Sequence, residues 1–216
     1  MDFLETVLKS KRRLLVTVVM LLILGFVLLG YLVTALPPSM VDLEVSEEVQ
    51  EQSHALLDTF MRAVSWPGNP PYSVMMVTGV AGLFYFLKCR REAMFFMLTL
   101  ISGVISWSLK ILINRPGPTQ DLVRIIEKAR YQSFPSGHTL FYTVFFGFLI
   151  LVMVNQKTLP TAVRTSVAVF SAAMIFLVGI SRVYLGAHWL TDVLAGFMIG
   201  IVCLFALGHF YLSRQR

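Results

Sequence analysis

The residues best suited to chemistry fall in three short stretches. The first is Ser181-Arg182-Val183-Tyr184-Leu185-Gly186-Ala187-His188-Trp189-Leu190-Thr191-Asp192. His188 and Asp192 are four residues apart, so on a helix they share a face. A carboxylate beside an imidazole fixes its tautomer and stabilises its cation. The pair could also be half of a metal site, but no third ligand stands at metal-like spacing and nearby cations would repel a metal ion. Catalysis is the stronger reading. The second stretch is Ser133-Phe134-Pro135-Ser136-Gly137-His138, ahead of a long apolar run. Ser136 suits the N-cap of that run, and the free N–H groups of a helix start bind phosphate. Gly137 permits close approach to the backbone, and His138 falls in the first turn. The third is Lys110, an ionisable residue inside an apolar run and hence a functional candidate, although its stem could also snorkel to the interface. Arg115-Pro116 follows, where that helix should end. Two histidines, a carboxylate, a helix start and three cations form a set suited to an anionic group.

A membrane must position this set. The chain has 216 residues, of which 56% are hydrophobic and 14% charged, and its mean hydropathy is +0.74. So apolar a chain of this size cannot hide its surface as a soluble fold, and disordered chains are poor in apolar residues. Two cysteines exclude a disulfide-stapled domain. Cys89 is expected at the cytoplasmic side and Cys203 in mid-membrane, too far apart to pair. Runs 14–41, 63–87, 93–109, 131–156, 165–181 and 193–213 carry no formal charge. A crossing needs about 20 helical residues. The reading is therefore an all-α polytopic membrane protein, a single domain with six transmembrane helices at 14–36, 72–87, 93–113, 136–154, 163–180 and 190–212. The first run is too long for a signal-peptide core and lacks a clear cleavage site, so it is expected to be retained. Gly196-x3-Gly200 marks either a homodimer face or close packing within the bundle.

Charge sets the orientation. Of 18 basic residues, most flank one side: Lys9, Lys11, Arg12, Arg13, Lys88, Arg90, Arg91, Lys157, Arg164, Arg214 and Arg216. Positive flanks favour the cytoplasm, so both termini are expected there. The clusters are short, which argues against nucleic-acid binding despite the net charge of +6. The connection 37–71 carries Asp42, Glu44, Glu47, Glu48, Glu51 and Asp58, bracketed by Pro37-Pro38 and Pro67-Gly68-Asn69-Pro70-Pro71. Val45, Val49, Leu56, Leu57, Phe60, Met61 and Val64 recur at helical spacing, which predicts an amphipathic helix on the outer surface. It serves either as a lid over a lipid entrance or as a plain connector. Arg115, Arg124, Lys128 and Arg130 in 114–134, with Arg182 in 181–188, place positive charge against the orientation rule. An anionic ligand on the outer side supplies a reason.

This joint pattern resembles the type 2 phosphatidate phosphatase superfamily of lipid phosphatases and vanadium haloperoxidases, whose motifs are K-x6-R-P, P-S-G-H and S-R-x5-H-x3-D. The second stands complete as Pro135-Ser136-Gly137-His138, and the third as Ser181, Arg182, His188 and Asp192. The resemblance spans about residues 72–212, a phosphatase core of five crossings. The first motif departs: seven residues after Lys110 comes Gly117, then Pro118, and Arg115-Pro116 stands two residues early.

The resemblance implies that His188 attacks phosphorus, oriented by Asp192, and forms a phosphohistidine. It implies that His138 protonates the leaving alcohol and then activates water, with no metal or cofactor. Lys110, Arg115, Ser136, Gly137 and Arg182 are then the expected phosphate-binding residues. The expected partner is a membrane lipid phosphate reaching the outer face of a bacterial inner membrane. Phosphatidate, phosphatidylglycerophosphate, undecaprenyl or another polyprenyl diphosphate, and lipid A phosphate remain open. Other readings are a phosphotransferase with an acceptor other than water, a catalytically impaired scaffold, and a transporter.

Overall fold

A computed structural model of the chain describes residues 2–36, 39–129 and 131–213, with side chains from residue 13 onward. Pro37-Pro38, Arg130, Arg214, Arg216 and the side chains of Lys9, Lys11 and Arg12 lie outside the described residues. Every regular element described is helical. Helix α1 (Asp2–Ala35) is long and lined by exposed apolar side chains. Two short helices follow, α2 (Met40–Gln50) and α3 (Ala55–Ser65). Then come α4 (Tyr72–Phe86), α5 (Arg90–Leu98), α6 (Ile101–Ile113), α7 (Gly137–Asn155), α8 (Thr161–Tyr184) and α9 (Leu190–Ser213).

Among the described residues, five segments are long and apolar enough to cross a membrane: Arg13–Ala35, Arg90–Ile113, Gly137–Asn155, Thr161–Tyr184 and Leu190–Ser213. The sixth expected crossing, at 72–87, coincides with α4. Its 15 residues rise only about 22 Å, short of the ~30 Å hydrocarbon core. The expected helix 93–113 starts earlier, at Arg90, and is interrupted between α5 and α6. There the Thr99 hydroxyl donates to the Phe96 carbonyl (2.6 Å) and the Ser102 hydroxyl to the Thr99 carbonyl (2.6 Å). Such back-bonding loosens the backbone ladder locally. Helix α8 runs on to Tyr184 rather than stopping near 180, so Arg182 lies in its last turn, where helix carbonyls favour a cation.

The single amphipathic helix expected in 37–71 is two helices. Ser39 caps α2 by accepting the Asp42 N–H (3.1 Å), and His54 Nδ1 caps α3 by accepting the Leu57 N–H (3.3 Å). The segment does not rest only on a surface. Met61 and Leu57 pack on Tyr184 and Leu185, the Ser181 hydroxyl donates to the Met61 carbonyl (2.9 Å), and the Tyr142 hydroxyl donates to the Val64 carbonyl (2.7 Å).

Helix α7 is central, packed on α8 and α9. Phe84, Phe95, Phe96, Phe145, Phe148 and Tyr211 form a buried aromatic core around it. Gly196 and Gly200 face α7. A Cβ on Gly200 would sit 2.7 Å from Thr143 Cβ, and one on Gly196 2.8 Å from the Ser136 carbonyl oxygen. The small-residue stripe is thus used for packing inside the bundle. Both cysteines are free thiols.

Candidate active site

The site forms where α7 and α9 begin and α6 and α8 end. Asp192 is fully buried in the first turn of α9, and His188 stands just before it, 3% exposed. Asp192 Oδ2 lies 3.6 Å from His188 Nδ1 and accepts the Trp189 N–H at 2.9 Å. It also accepts the Ser133 hydroxyl, whose oxygen lies 3.2 Å from His188 Nδ1. The Nδ1 edge of His188 is therefore held, and Nε2 is the nitrogen left for chemistry. Burial, with the Lys110 and Arg182 cations adding to it, pushes the imidazole down to about 4 against the upward pull of Asp192. His188 is accordingly neutral at physiological pH.

Ser136 caps α7: its side chain accepts from the Thr139 hydroxyl (2.9 Å) and faces the Thr139 N–H (3.5 Å). The Ser136 N–H donates to the Asp192 carbonyl (2.9 Å), which ties the starts of α7 and α9 together. Gly137 lies close against α6. A Cβ there would lie 2.9 Å from Ser106 Oγ and 3.8 Å from Lys110 Cε, so the glycine lets Lys110 stand over the start of α7. Lys110 Nζ also donates to the Gln132 carbonyl. The His138 ring packs under the turn Trp66–Gly68, where a Cβ on Gly68 would collide with it, and its Nε2 is buried with no hydrogen-bond partner among the described residues. Arg182, 2% exposed, gives Nη1 to Ser65 Oγ and to Glu127 Oε1 (3.1 Å). Its Nε is buried and unpartnered among the described residues.

Arg115 sits differently from the expectation that placed it among the phosphate ligands. It is 4% exposed, and its guanidinium is engaged by protein anions. Nη2 donates to Asp42 Oδ2 (2.9 Å), and Nη1 donates to Asp192 Oδ1 and to Thr191 Oγ1 (2.7 Å). The physical reason is the depth at which the segment after Asn114 turns in. Asn114, in the left-handed region at φ 48°, ends α6, and Pro116 prevents its continuation. The Ser133 N–H then donates to the Arg115 carbonyl (2.9 Å), drawing both residues beneath Asp192.

Segment 114–134 is fastened over the end of α8. The Ile126 and Glu127 N–H groups both donate to the Leu185 carbonyl (3.0 Å each). Gly186 adopts φ +65°, and a Cβ there would strike the Arg124 carbonyl. Arg124 pairs with Asp58 of α3 at 2.7 Å. That bond holds the Asp58 carboxyl below the usual carboxylate range, the Tyr184 hydroxyl helping.

Sequence reasoning did not give roles to Ser133, Asp42 or Thr191. Ser133 opens the stretch that contains His138, and a hydroxyl so close to the helix cap was a usable signal. Asp42 had none. It is one acid among six in 37–71, and it meets Arg115 across 73 residues of chain. No three of the described His, Cys, Asp and Glu side chains converge as a metal site.

Residues 91–216, more than half of the chain, match the PAP2 superfamily. Phosphatidylglycerophosphatase B of Bacillus subtilis (strain 168) is 26% identical over 155 residues, 71% of this chain and 75% of that protein. Among solved structures, the transmembrane PAP2 type phosphatidylglycerolphosphate phosphatase from Bacillus subtilis shares the fold. Its TM-score is 0.75 at 24% identity, over 89% of this chain and 94% of that one. LpxE of Aquifex aeolicus follows with a TM-score of 0.59 at 25% identity, over 79% and 94%. The matched region contains both histidines, Asp192, Lys110 and Arg182. The chain belongs to the PAP2 superfamily and is a membrane-embedded hydrolase of lipid phosphates.

Proposed function

We propose that this protein removes a terminal phosphate from a membrane lipid through a phosphohistidine on His188, with phosphatidylglycerophosphate as the first substrate to test. The observation that carries the mechanism is the orientation of His188: Nδ1 faces Asp192 and Ser133, leaving Nε2 free. In the first step Nε2 attacks phosphorus, the ester P–O bond breaks, and His138 delivers a proton to the departing alcohol. In the second, His138 takes a proton from water, the resulting hydroxide attacks phosphorus, and the P–N bond breaks to release inorganic phosphate. Splitting one displacement into two is the benefit of a covalent nucleophile. The remaining work is positioning and charge stabilisation. The free donors of Lys110 and Arg182, with the Ser136 hydroxyl and the Gly137 N–H, supply it.

The name of the Bacillus subtilis relative supports phosphatidylglycerophosphate over the other candidates. Phosphate release by the purified protein in detergent, from a panel of that lipid, phosphatidate, a polyprenyl diphosphate and a lipid A phosphate, tests the assignment. Transfer of the phosphoryl group to an added alcohol without free phosphate would indicate the phosphotransferase. Turnover is expected to persist in EDTA, since cations of the chain itself surround the phosphate. Loss on chelation and recovery on adding zinc or magnesium would refute that.

The charge flanks support six crossings, with α4 completing the sixth, both termini in the cytoplasm of a bacterial inner membrane, and the site on the outer face. Thr119, exposed in segment 114–134, reports the side. In a chain lacking Cys89 and Cys203, a cysteine introduced there should react with an impermeant maleimide in intact cells. Labelling only after lysis would place the chemistry in the cytoplasm.

A further inference from the structure

We propose that Asp42 of α2 is a positioning residue of the phosphatase site, acting through Arg115 to set the charge and orientation of Asp192 behind His188. The inference rests on the phosphatase reading above. Asp42 is fully buried, and both of its carboxylate oxygens are engaged. Oδ1 accepts the Thr191 N–H (2.9 Å). Oδ2 accepts the Thr191 hydroxyl (2.9 Å) and Arg115 Nη2 (2.9 Å). Arg115 then passes from one carboxylate to the other, since Nη1 donates to Asp192 Oδ1. The result is a buried row of alternating charge, Asp42, Arg115, Asp192, that ends at the imidazole of His188.

Such a row is a poor stability device, because desolvating charges costs more than an apolar packing of the same volume. Its merit is electrostatic. With Arg115 alone behind it, Asp192 would be neutralised and would offer little to the cation that forms on His188 when phosphorus is attacked. Asp42 offsets Arg115, so the row carries one net negative charge, at the end that faces His188. The hydrogen bonds to Thr191 also fix the first turn of α9, on which Asp192 is mounted. In this way the docking of the outer helix α2 is made a condition of a competent histidine. Arg115 here is held by acids and does not touch phosphate, in keeping with its partners.

The test uses the purified full chain in detergent. Asp42→Asn keeps the shape and an acceptor for the Thr191 N–H but removes the charge. It should lower kcat by about 10–100-fold, the scale for partners that orient a first layer of functional groups. KM and the inhibition constant for orthovanadate should stay within about two-fold, since the phosphate grip is untouched. Arg115→Gln should behave alike, and the double variant should be little worse than either single one, because both act through the same carboxylate. Unchanged kcat in Asp42→Asn overturns the proposal, and so does a loss that appears in KM and in vanadate inhibition instead. Should Asp42→Asn fail to fold, Thr191→Val carries the test. Losing the two side-chain hydrogen bonds of Thr191 in the row, to Asp42 and from Arg115, should lower kcat by roughly five- to thirty-fold at constant KM, and full kcat overturns the proposal. A wild-type chain that hydrolyses no lipid phosphate refutes the phosphatase reading itself.

Discussion

Around Arg115, where α2 meets the first turn of α9, the guanidinium lies between two carboxylates that are themselves fully buried. Around Arg182, where α8 ends under α3, the guanidinium has a serine hydroxyl and one oxygen of a Glu127 that is 28% exposed. Its Nε has no described partner. The two arginines are equally buried, at 4% and 2%, and both belong to stretches the sequence marks as functional. Burial does not separate them; their counter-ions do. A cation already matched by acids holds the protein's own groups, whereas one with donors to spare can hold a ligand. On the proposed reading, the Arg182 region is the phosphate side of the site, and the Arg115 region is its scaffold.

The largest effect expected lies between these regions. If His188 carries the phosphoryl group as proposed, His188→Ala should lower turnover by on the order of 10⁴-fold or more. His138→Ala should lose the 10²–10⁴-fold typical of a proton-transfer group. Near-normal phosphate release by the His188 variant would end the covalent mechanism. Next comes the proposed phosphate side: if Arg182 donates to the transferring phosphoryl group, Arg182→Ala should cost roughly 2–4 kcal/mol in the barrier or about 30–1,000-fold in rate. Unlike Asp42→Asn, it should also weaken orthovanadate inhibition. If Arg182→Ala leaves vanadate untouched while Arg115→Gln weakens it, the assignment of the two regions is reversed.

Gly117 sharpens the same comparison. The resemblance puts an arginine here, and Arg115 is occupied elsewhere, so the phosphate side has room for one more donor. A Cβ on Gly117 would meet only Ser133 Cβ and Oγ, both at 3.7 Å, an ordinary contact. Gly117→Arg should therefore fold and raise kcat/KM for a lipid phosphate. One charge-assisted hydrogen bond of about 1–2 kcal/mol corresponds to roughly 5–30-fold. No gain would mean that the phosphate is already fully gripped and that Arg115 or another cation reaches it.

Much of this was legible in the sequence because its physics is local. Long uncharged runs fold as helices in lipid whatever surrounds them, and Ser136 with Gly137 and His138 is a cap, a close approach and a first-turn side chain within three residues. His188 and Asp192 stand only four residues apart in the sequence. What was not legible is contact across distance. Asp42 is chemically indistinguishable from Glu44 or Glu47 until α2 docks on α9, and Arg115 reads as a phosphate ligand until two acids are seen to claim it. The division of 37–71 into α2 and α3 was hidden for a related reason. The apolar spacing continues across 51–54, and only the cap made by His54 marks the break.

The smallest effect is a shift in pH rather than a loss of rate. An unperturbed histidine would be half protonated near pH 6.5 and would lose its nucleophilic lone pair below it. In His188 burial comes first, and the cations Lys110 of α6 and Arg182 of α8 act in the same direction. Asp192 of α9, through its hydrogen bond and its charge, opposes them, and the value settles at about 4. Ser133 adds a neutral contact from segment 114–134. The folded value is depressed, so His188 stays neutral and reactive down to about pH 4 in the free protein. Between about 6.5 and 4 the unfolded chain takes a proton that the folded chain refuses, so His188 subtracts stability as pH falls through that window. The acid limb of kcat/KM, which reports free-enzyme ionisations, should accordingly lie near pH 4 once the substrate's own ionisation is divided out. Lys110→Met removes one of the cations that depress His188, so in that slower variant the limb should move upward. A wild-type limb at 6.5, unmoved by Lys110→Met, would mean that His188 is solvated like a surface histidine and that the phosphate side does not press its charge on the nucleophile.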